Sequence, residues 1–243
     1  MFQLINVNKK NTRLQQNTAI LIFSRSAKSE SIIKKLHADH KKNTQLHQAL
    51  YNKIINIAKE TKLPFIVIDE LQQQGNNFGE KFCNAVEYCF GRGYSNLITI
   101  GSDCATLSAK NILKANAQLK NNANAIGPDN HGGFYLLALQ KKYYQRNVFL
   151  NFNWCSNQLF KNIAAYLTDN LQASCFIACI KQDVNNANNL NAFLKHALPD
   201  NFIKLLSVLY KSIYNGYYFV SISLQHYFYQ NFALRGPPAF ANI

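Results

Sequence analysis

A chain of 243 residues is long enough for one large domain, or one domain with an appendage, around a sizeable core. Hydrophobic residues make up 48% of it and charged residues 16%, which excludes a disordered chain. The formal charge of +14 would draw phosphates, nucleic acid or an anionic membrane, but the cations are spread along the chain instead of clustering with aromatics. The reading is a basic soluble surface, and no nucleic-acid partner is expected.

Residues 1–17 read as a basic N-terminal arm with no apolar stretch of the kind a secretory signal needs. The six cysteines contain no C-x-x-C pair, so reduced thiols in a cytoplasmic protein are expected rather than a zinc site. Thr18–Phe23 is a short, unbroken apolar run, the pattern of a strand buried on both faces. A polar, cationic loop, Ser24–Ser29, follows, and its Arg25 and Lys28 stand where many α/β proteins hold a phosphate. On these residues alone a solvated loop is the simpler reading.

Leu46, Leu50, Ile54, Ile57 and Ala58 recur at helical spacing, which predicts a helix over Thr44–Thr61, stopped by Pro64. Phe65–Ile68 is the second strand and ends at Asp69-Glu70, acids placed to meet a base or ribose or to serve as strand-end surface charge. Phe78, Phe82, Ala85, Val86, Cys89 and Phe90 give an amphipathic helix that stops at Gly91-Arg92-Gly93.

Leu97–Ile100 is the central strand, followed by Gly101-Ser102-Asp103-Cys104 and a helix from Ala109 to about Lys120 with Ser108 as its N-cap. Asp103 therefore stands at the carboxyl end of a buried strand, the ligand-binding edge of an open α/β sheet. Cys104 has no local base and reads as a packed thiol.

A short strand then runs into Gly127-Pro128-Asp129-Asn130-His131-Gly132-Gly133 and a further strand. The glycine pair allows close approach of backbone to a ligand. Trp154, the only tryptophan, lines a pocket or plugs the core. A helix over about Asn157–Leu167 capped by Ser156, a strand over Ser174–Ile180 and a helix to about His196 complete the alternation. The fold class is α/β, a three-layer sandwich with a mostly parallel central sheet over residues 18–198. Residues 199–243 form an aromatic-rich extension too interrupted by polar residues to span a membrane. It packs on the main domain, makes a homodimer contact, or lies peripherally on a membrane surface.

Gly101-Ser102-Asp103-Cys104-Ala105-Thr106-Leu107, Gly127-Pro128-Asp129-Asn130-His131-Gly132-Gly133-Phe134-Tyr135-Leu136, Asn153-Trp154-Cys155-Ser156, Asp183-Val184-Asn185-Asn186 and Asn77-Phe78-Gly79-Glu80-Lys81-Phe82 form a pattern. In order and spacing it resembles a bacterial family of nucleotide-diphospho-sugar transferases with a GT-A-like fold, which includes glycosyltransferases assigned to arsenosugar biosynthesis. Those proteins read G-S-D-C-P-x-L, G-P-x-x-D-G-G-Y-Y-L, P-W-S-T, D-V-D-T and L-G-E-R-M at the five places. Their first loop, F-A-K-x-P-x-x-G-x-x-K-T-R-L, survives only as Phe23-Ser24-Arg25 and Lys35-Leu36, with Glu30 in place of its glycine. His131 replaces the acid of D-G-G, and Asn185 replaces the second acid of D-V-D-T.

The resemblance implies a glycosyltransferase that takes a nucleotide-sugar donor and an acceptor of unspecified class. A divalent metal, Mn²⁺ or Mg²⁺, would be held by Asp103 with Asp183 to neutralise the diphosphate leaving group. Asp103 and His131 are the expected catalytic residues. Arg25, Lys28, Asp69, Ser102, Gly132, Gly133 and Trp154 are the expected donor contacts. Two other readings stay open: a nucleotidyltransferase, against which the glycine-free first loop counts, and a non-catalytic nucleotide- or sugar-binding protein.

Overall fold

The computed structural model describes residues 4–5, 17–154, 156–198 and 200–211. Among the described residues seven strands form one sheet in the order β1-β3-β2-β4-β6-β5-β7. They are β1 (Leu4–Ile5), β2 (Thr18–Phe23), β3 (Phe65–Ile68), β4 (Asn96–Ile100), β5 (Asn124–Pro128), β6 (Phe134–Gln140) and β7 (Cys175–Ile177). β3, β2 and β4 are mutually parallel, as are β5 and β7. β6 is antiparallel to both β4 and β5, so it joins two halves that run the same way, and β1 is antiparallel at the far edge.

The sheet is covered on both faces because β2 and β4 alternate two sets of apolar side chains. Ala19, Leu21, Phe23 and Leu97 pack with α3 (Phe78–Gly91), α5 (Arg146–Leu150) and α6 (Leu159–Ala165). Ile20, Ile22, Ile98 and Ile100 pack with α2 (His40–Glu60) and α4 (Ala109–Lys120). Successive strand residues point to opposite faces, so an unbroken apolar run supplies both cores at once. α4 starts at Ser108, whose hydroxyl accepts from Asn111 N while the Asn111 side chain accepts from Ser108 N, closing a capping box.

Two sequence expectations are corrected. The segment expected as a loop after β2 turns into a helix, α1 (Ala27–Ile33), with Ser26 as its N-cap. Its apolar pattern is inverted: Ile32 and Ile33 are exposed while Glu30 and Ser31 are buried, so no amphipathic period marks it. Ser156 does not cap a helix; α6 begins at Leu159 behind Gln158 and passes into a π turn over Tyr166–Asn170. The extension expected from residue 199 starts as a helix, α8 (Asn201–Lys211), after α7 (Ala187–His196). α8 docks on α2, with Lys53 Nζ 4.4 Å from the centre of the Phe202 ring and Leu206 buried beside Leu46 and Leu50. The aromatic stretch Tyr214–Val220 lies outside the described residues. Among the described residues no helix is long and apolar enough to cross a membrane.

The turn between α1 and α2 is tied by one buried amide. Asn43 Oδ1 accepts from Leu36 N at 2.7 Å and His37 N at 3.2 Å, and its Nδ2 donates to Ser31 O at 2.7 Å and Lys34 O at 3.0 Å. His47 Nε2 donates to the same Lys34 carbonyl at 3.0 Å. Removing a partner that leaves buried backbone groups unpaired costs about 1–3 kcal/mol per group. Asn43→Ala is expected to lower unfolding free energy by roughly 3 kcal/mol, read from urea melts, while Asn52→Ala on the exposed face of α2 changes it little.

Candidate active site

The carboxyl ends of β2, β3, β4 and β5 and the start of β6 open on one cleft of ≈ 240 Å³. After β2 the chain builds β3 on one side and β4 on the other, so the cleft stands at the point where strand order reverses, the usual ligand position in such sheets.

Its polar wall is a chain of ion pairs. Arg25 Nη1 lies 3.2 Å from Glu30 Oε2, and Lys34 Nζ lies 2.8 Å from Glu30 Oε1 and 2.8 Å from Asp103 Oδ2. The Lys34 side chain is 9% exposed. Burial works to lower the pKa of this ammonium, but the Asp103 and Glu30 carboxylates hold it above the ordinary lysine value. Burial likewise works against the Asp103 charge, and Lys34 outweighs it, so the Asp103 pKa lies below the usual carboxylate range.

Asp183 is brought to this wall by the segment after β7. Lys181 N donates to Pro128 O at 3.1 Å and Val184 N donates to Asp103 O at 2.9 Å, which run the segment along the ends of β5 and β4. Asp183 is 7% exposed, and its Oδ1 has no hydrogen-bond partner. Burial, then the Asp103 and Asp129 carboxylates, push its pKa well above the ordinary value. The pKa values of two acids of one cleft are thereby pushed in opposite directions, the pattern by which acid and base roles are usually divided.

The β5–β6 turn supplies the third acid. Asp129 Oδ1 accepts from His131 N at 2.7 Å and from Gly133 N at 2.9 Å. His131 lines the cleft, and its Nε2 is buried without a partner.

The opposite wall is aromatic: Phe23, Phe78, Phe82, Phe134 and Trp154. Trp154 is 6% exposed; its ring centre lies 4.5 Å from that of Phe82 and 5.3 Å from that of Phe78, and Nε1 donates to Phe149 O at 2.8 Å. It is both a core side chain and part of the cleft wall. A Cβ at Gly79 would stand 2.9 Å from Trp154 Nε1, so that glycine in α3 makes room for the indole.

Arg25, Ser102, Asp103, His131, Gly133, Trp154 and Asp183 thus come together at the cleft. Three expected donor contacts do not line it. Lys28 is exposed on α1. Asp69 closes a turn, its Oδ1 accepting from Leu71 N at 3.1 Å and its carbonyl from Gln73 N at 2.9 Å. Gly132 has φ +86, and a Cβ there would stand 2.0 Å from Asn157 O, so this glycine serves packing between two loops. Cys104 is the packed thiol expected, 2% exposed and pushed up to about 12 by burial and the nearby Asp183 charge.

Lys34, Glu30 and Asp129 line the cleft without having been expected there, and Glu70 takes the place expected of its neighbour Asp69. Glu70 lines the cleft and accepts from Ser26 N at 2.6 Å, from Ser26 Oγ at 2.6 Å and from Ser29 Oγ. Hydroxyls spaced three apart after a buried strand were the available signal for this anchor.

Asp103 Oδ2 is engaged by an ammonium at 2.8 Å, and among the described residues no three His, Cys, Asp or Glu side chains converge to enclose an ion. The set present does not fit a preformed divalent-cation site.

The family model described as "Uncharacterized protein conserved in bacteria (DUF2064)" matches residues 35–156. Among solved structures, the chain is similar to one described as a "putative nucleotide-diphospho-sugar transferase" from Desulfovibrio desulfuricans G20. The identity is 18% and the TM-score 0.67, over 79% of this chain and 94% of that one. At that identity the likeness shows the fold. A homolog of Mycobacterium tuberculosis rv0371c from Mycobacterium sp. strain JC1 superposes with a TM-score of 0.41 at 10% identity, over 81% of this chain and 98% of that one, too weak to carry an argument. No curated protein matches.

Burial would raise the Glu70 pKa, but the Ser26 and Ser29 hydroxyls and the Ser26 amide bring it from 4.5 down to about 2. A depressed folded-state pKa stabilises the fold above the unfolded value, and that stability is lost as pH falls. Glu70→Gln is expected to cost about 2 kcal/mol at neutral pH. The gap from wild type should close between pH 4.5 and about 2 in parallel urea melts.

Proposed function

The chain belongs to the bacterial family described as "Uncharacterized protein conserved in bacteria (DUF2064)", and on that footing we propose that its cleft takes a nucleotide-diphospho-sugar and that the protein is a glycosyltransferase. The observation that carries this reading is the gathering of acids at one sheet edge. The chain has only 12 Asp and Glu, and five of them (Glu30, Glu70, Asp103, Asp129 and Asp183) line this cleft. A solvated basic surface does not call for that gathering. It lies opposite an aromatic wall suited to a base or a sugar ring, in a fold shared with the structure described as a nucleotide-diphospho-sugar transferase.

In the proposed reaction the bond from the sugar's anomeric carbon to the diphosphate oxygen breaks, and its electron pair stays on that oxygen. An acceptor hydroxyl oxygen forms the new bond, and its proton passes to a cleft carboxylate. Arg25 and Lys34 are the cations placed to face the diphosphate. Asp103 positions Lys34, and His131 and Asp129 border the donor sugar.

A second reading, donor binding without transfer, is favoured by His131 and Asn185, which stand at the cleft where the resembling family has acids. Release of nucleoside diphosphate from a bound nucleotide-sugar separates the two.

The reading is tested by thermal melts of the purified protein against a panel of nucleoside diphosphates and nucleotide-sugars. A donor at a hundredfold excess over its dissociation constant adds about 2.7 kcal/mol of stability, a rise of several degrees. A rise confined to one base family, abolished by Gly133→Val in a protein that still melts cooperatively, is expected. No response to any nucleotide removes the proposal.

A further inference from the structure

We infer that Lys34 takes the place of a divalent cation in this cleft, so that the protein binds the diphosphate of a nucleotide without metal. The inference deepens the donor-binding reading above and rests on it.

Four observations carry it. Lys34 Nζ makes two contacts of 2.8 Å, to Glu30 Oε1 and Asp103 Oδ2, and so sits on the carboxylate that a metal would need. It lines the cleft, yet its side chain is 9% exposed, so it is built into the wall and is not a surface lysine reaching over. An ammonium has three N–H donors. Glu30 and Asp103 use two, and one is left for a ligand oxygen.

The position is fixed from behind. Asn43 Nδ2 and His47 Nε2 both donate to the Lys34 carbonyl, at 3.0 Å each, and Val184 N holds the Asp103 carbonyl at 2.9 Å. These bonds fix the backbone from which both charged side chains extend. Finally, among the described residues no three acid, His or Cys side chains converge on a common point. Hard divalent cations take about six oxygen ligands and usually hold one or two carboxylates with water. Here the carboxylate best placed to begin such a set is already paired.

Lysine can do this work. It is a compact point charge and a phosphate binder. Its charge is permanent at neutral pH in a site that supplies two carboxylates. What a metal adds, neutralisation of charge next to the phosphate oxygens, the ammonium supplies without dehydrating an ion. Glu30 belongs to the same device: it sits one helical turn before Lys34 on α1, at i and i+4, and its other oxygen takes Arg25.

The test is calorimetric titration of UDP, GDP and ADP into wild type, Lys34→Arg and Lys34→Met, in chelator and in Mn²⁺, with a separate titration of Mn²⁺ alone. For wild type, the nucleotide that binds is expected to do so with the same affinity, within about twofold, in both media, and Mn²⁺ alone gives no heat. Lys34→Arg keeps most of the affinity. Lys34→Met loses at least about tenfold in chelator and recovers part of it in Mn²⁺, because Asp103 is released to the ion. A purely structural lysine would not produce that metal dependence.

Wild-type binding that vanishes in chelator, or strengthens about tenfold or more with Mn²⁺, overturns this inference and leaves the donor reading standing. Because that comparison uses wild type alone, it holds even if Lys34→Met does not fold. Absence of binding by all three nucleotides in both media removes the donor reading and this inference with it.

Discussion

An ammonium that is nine-tenths buried must be paired, and the pairing of Lys34 with Glu30 and Asp103 is the constraint around which the site end of this fold is arranged. Breaking such a pair from one side leaves an uncompensated charge in a poorly solvated place, which is far more costly than never having built it. The neighbouring structure reads as support for it. α1 is short and turns sharply into α2, and the turn is stitched by an amide that satisfies four backbone groups at once. The return segment after β7 docks on the Asp103 carbonyl, not on open solvent. α8 reinforces the outer layer by packing on α2, with His37 edge-on to Tyr210 at 6.1 Å and Lys53 over Phe202.

The same pairing sorts the other acids. A carboxylate with an ammonium at 2.8 Å keeps its charge despite burial, and its neighbour Asp183, with no partner for Oδ1, is driven the other way. A protein of formal charge +14 thus carries an acid-rich cleft in which three carboxylates have local partners: Arg25 for Glu30, Lys34 for Asp103, serine hydroxyls for Glu70. A positive surplus of this size raises the local concentration of anionic ligands.

The sheet was legible in the sequence because its strands are buried on both faces, so Thr18–Phe23, Phe65–Ile68 and Leu97–Ile100 stand out as apolar runs closed by polar residues. The start of α4 was legible because Ser108 is a chemical start signal. Asp103 could be placed at the ligand edge from that context alone. α1 was hidden because it buries Glu30 and Ser31 and exposes its isoleucines. Lys34 was hidden for a related reason: nothing local marks a lysine as buried, since its partner Asp103 is 69 residues away. Gly132 shows the opposite error. It reads as room for a ligand, but the room is taken by the Asn157 backbone. A glycine's spare space is visible in a sequence, whereas its occupant is not.

The most direct test of the account is a crystal structure with a bound nucleoside diphosphate. The account predicts the diphosphate at the carboxyl edge of the sheet, with an oxygen within hydrogen-bond distance of Lys34 Nζ and the base or sugar against the Phe78–Trp154 wall. A diphosphate seated instead in the larger cavity at the opposite edge, among Asn116, Lys120, Gln140 and Lys141, would contradict it.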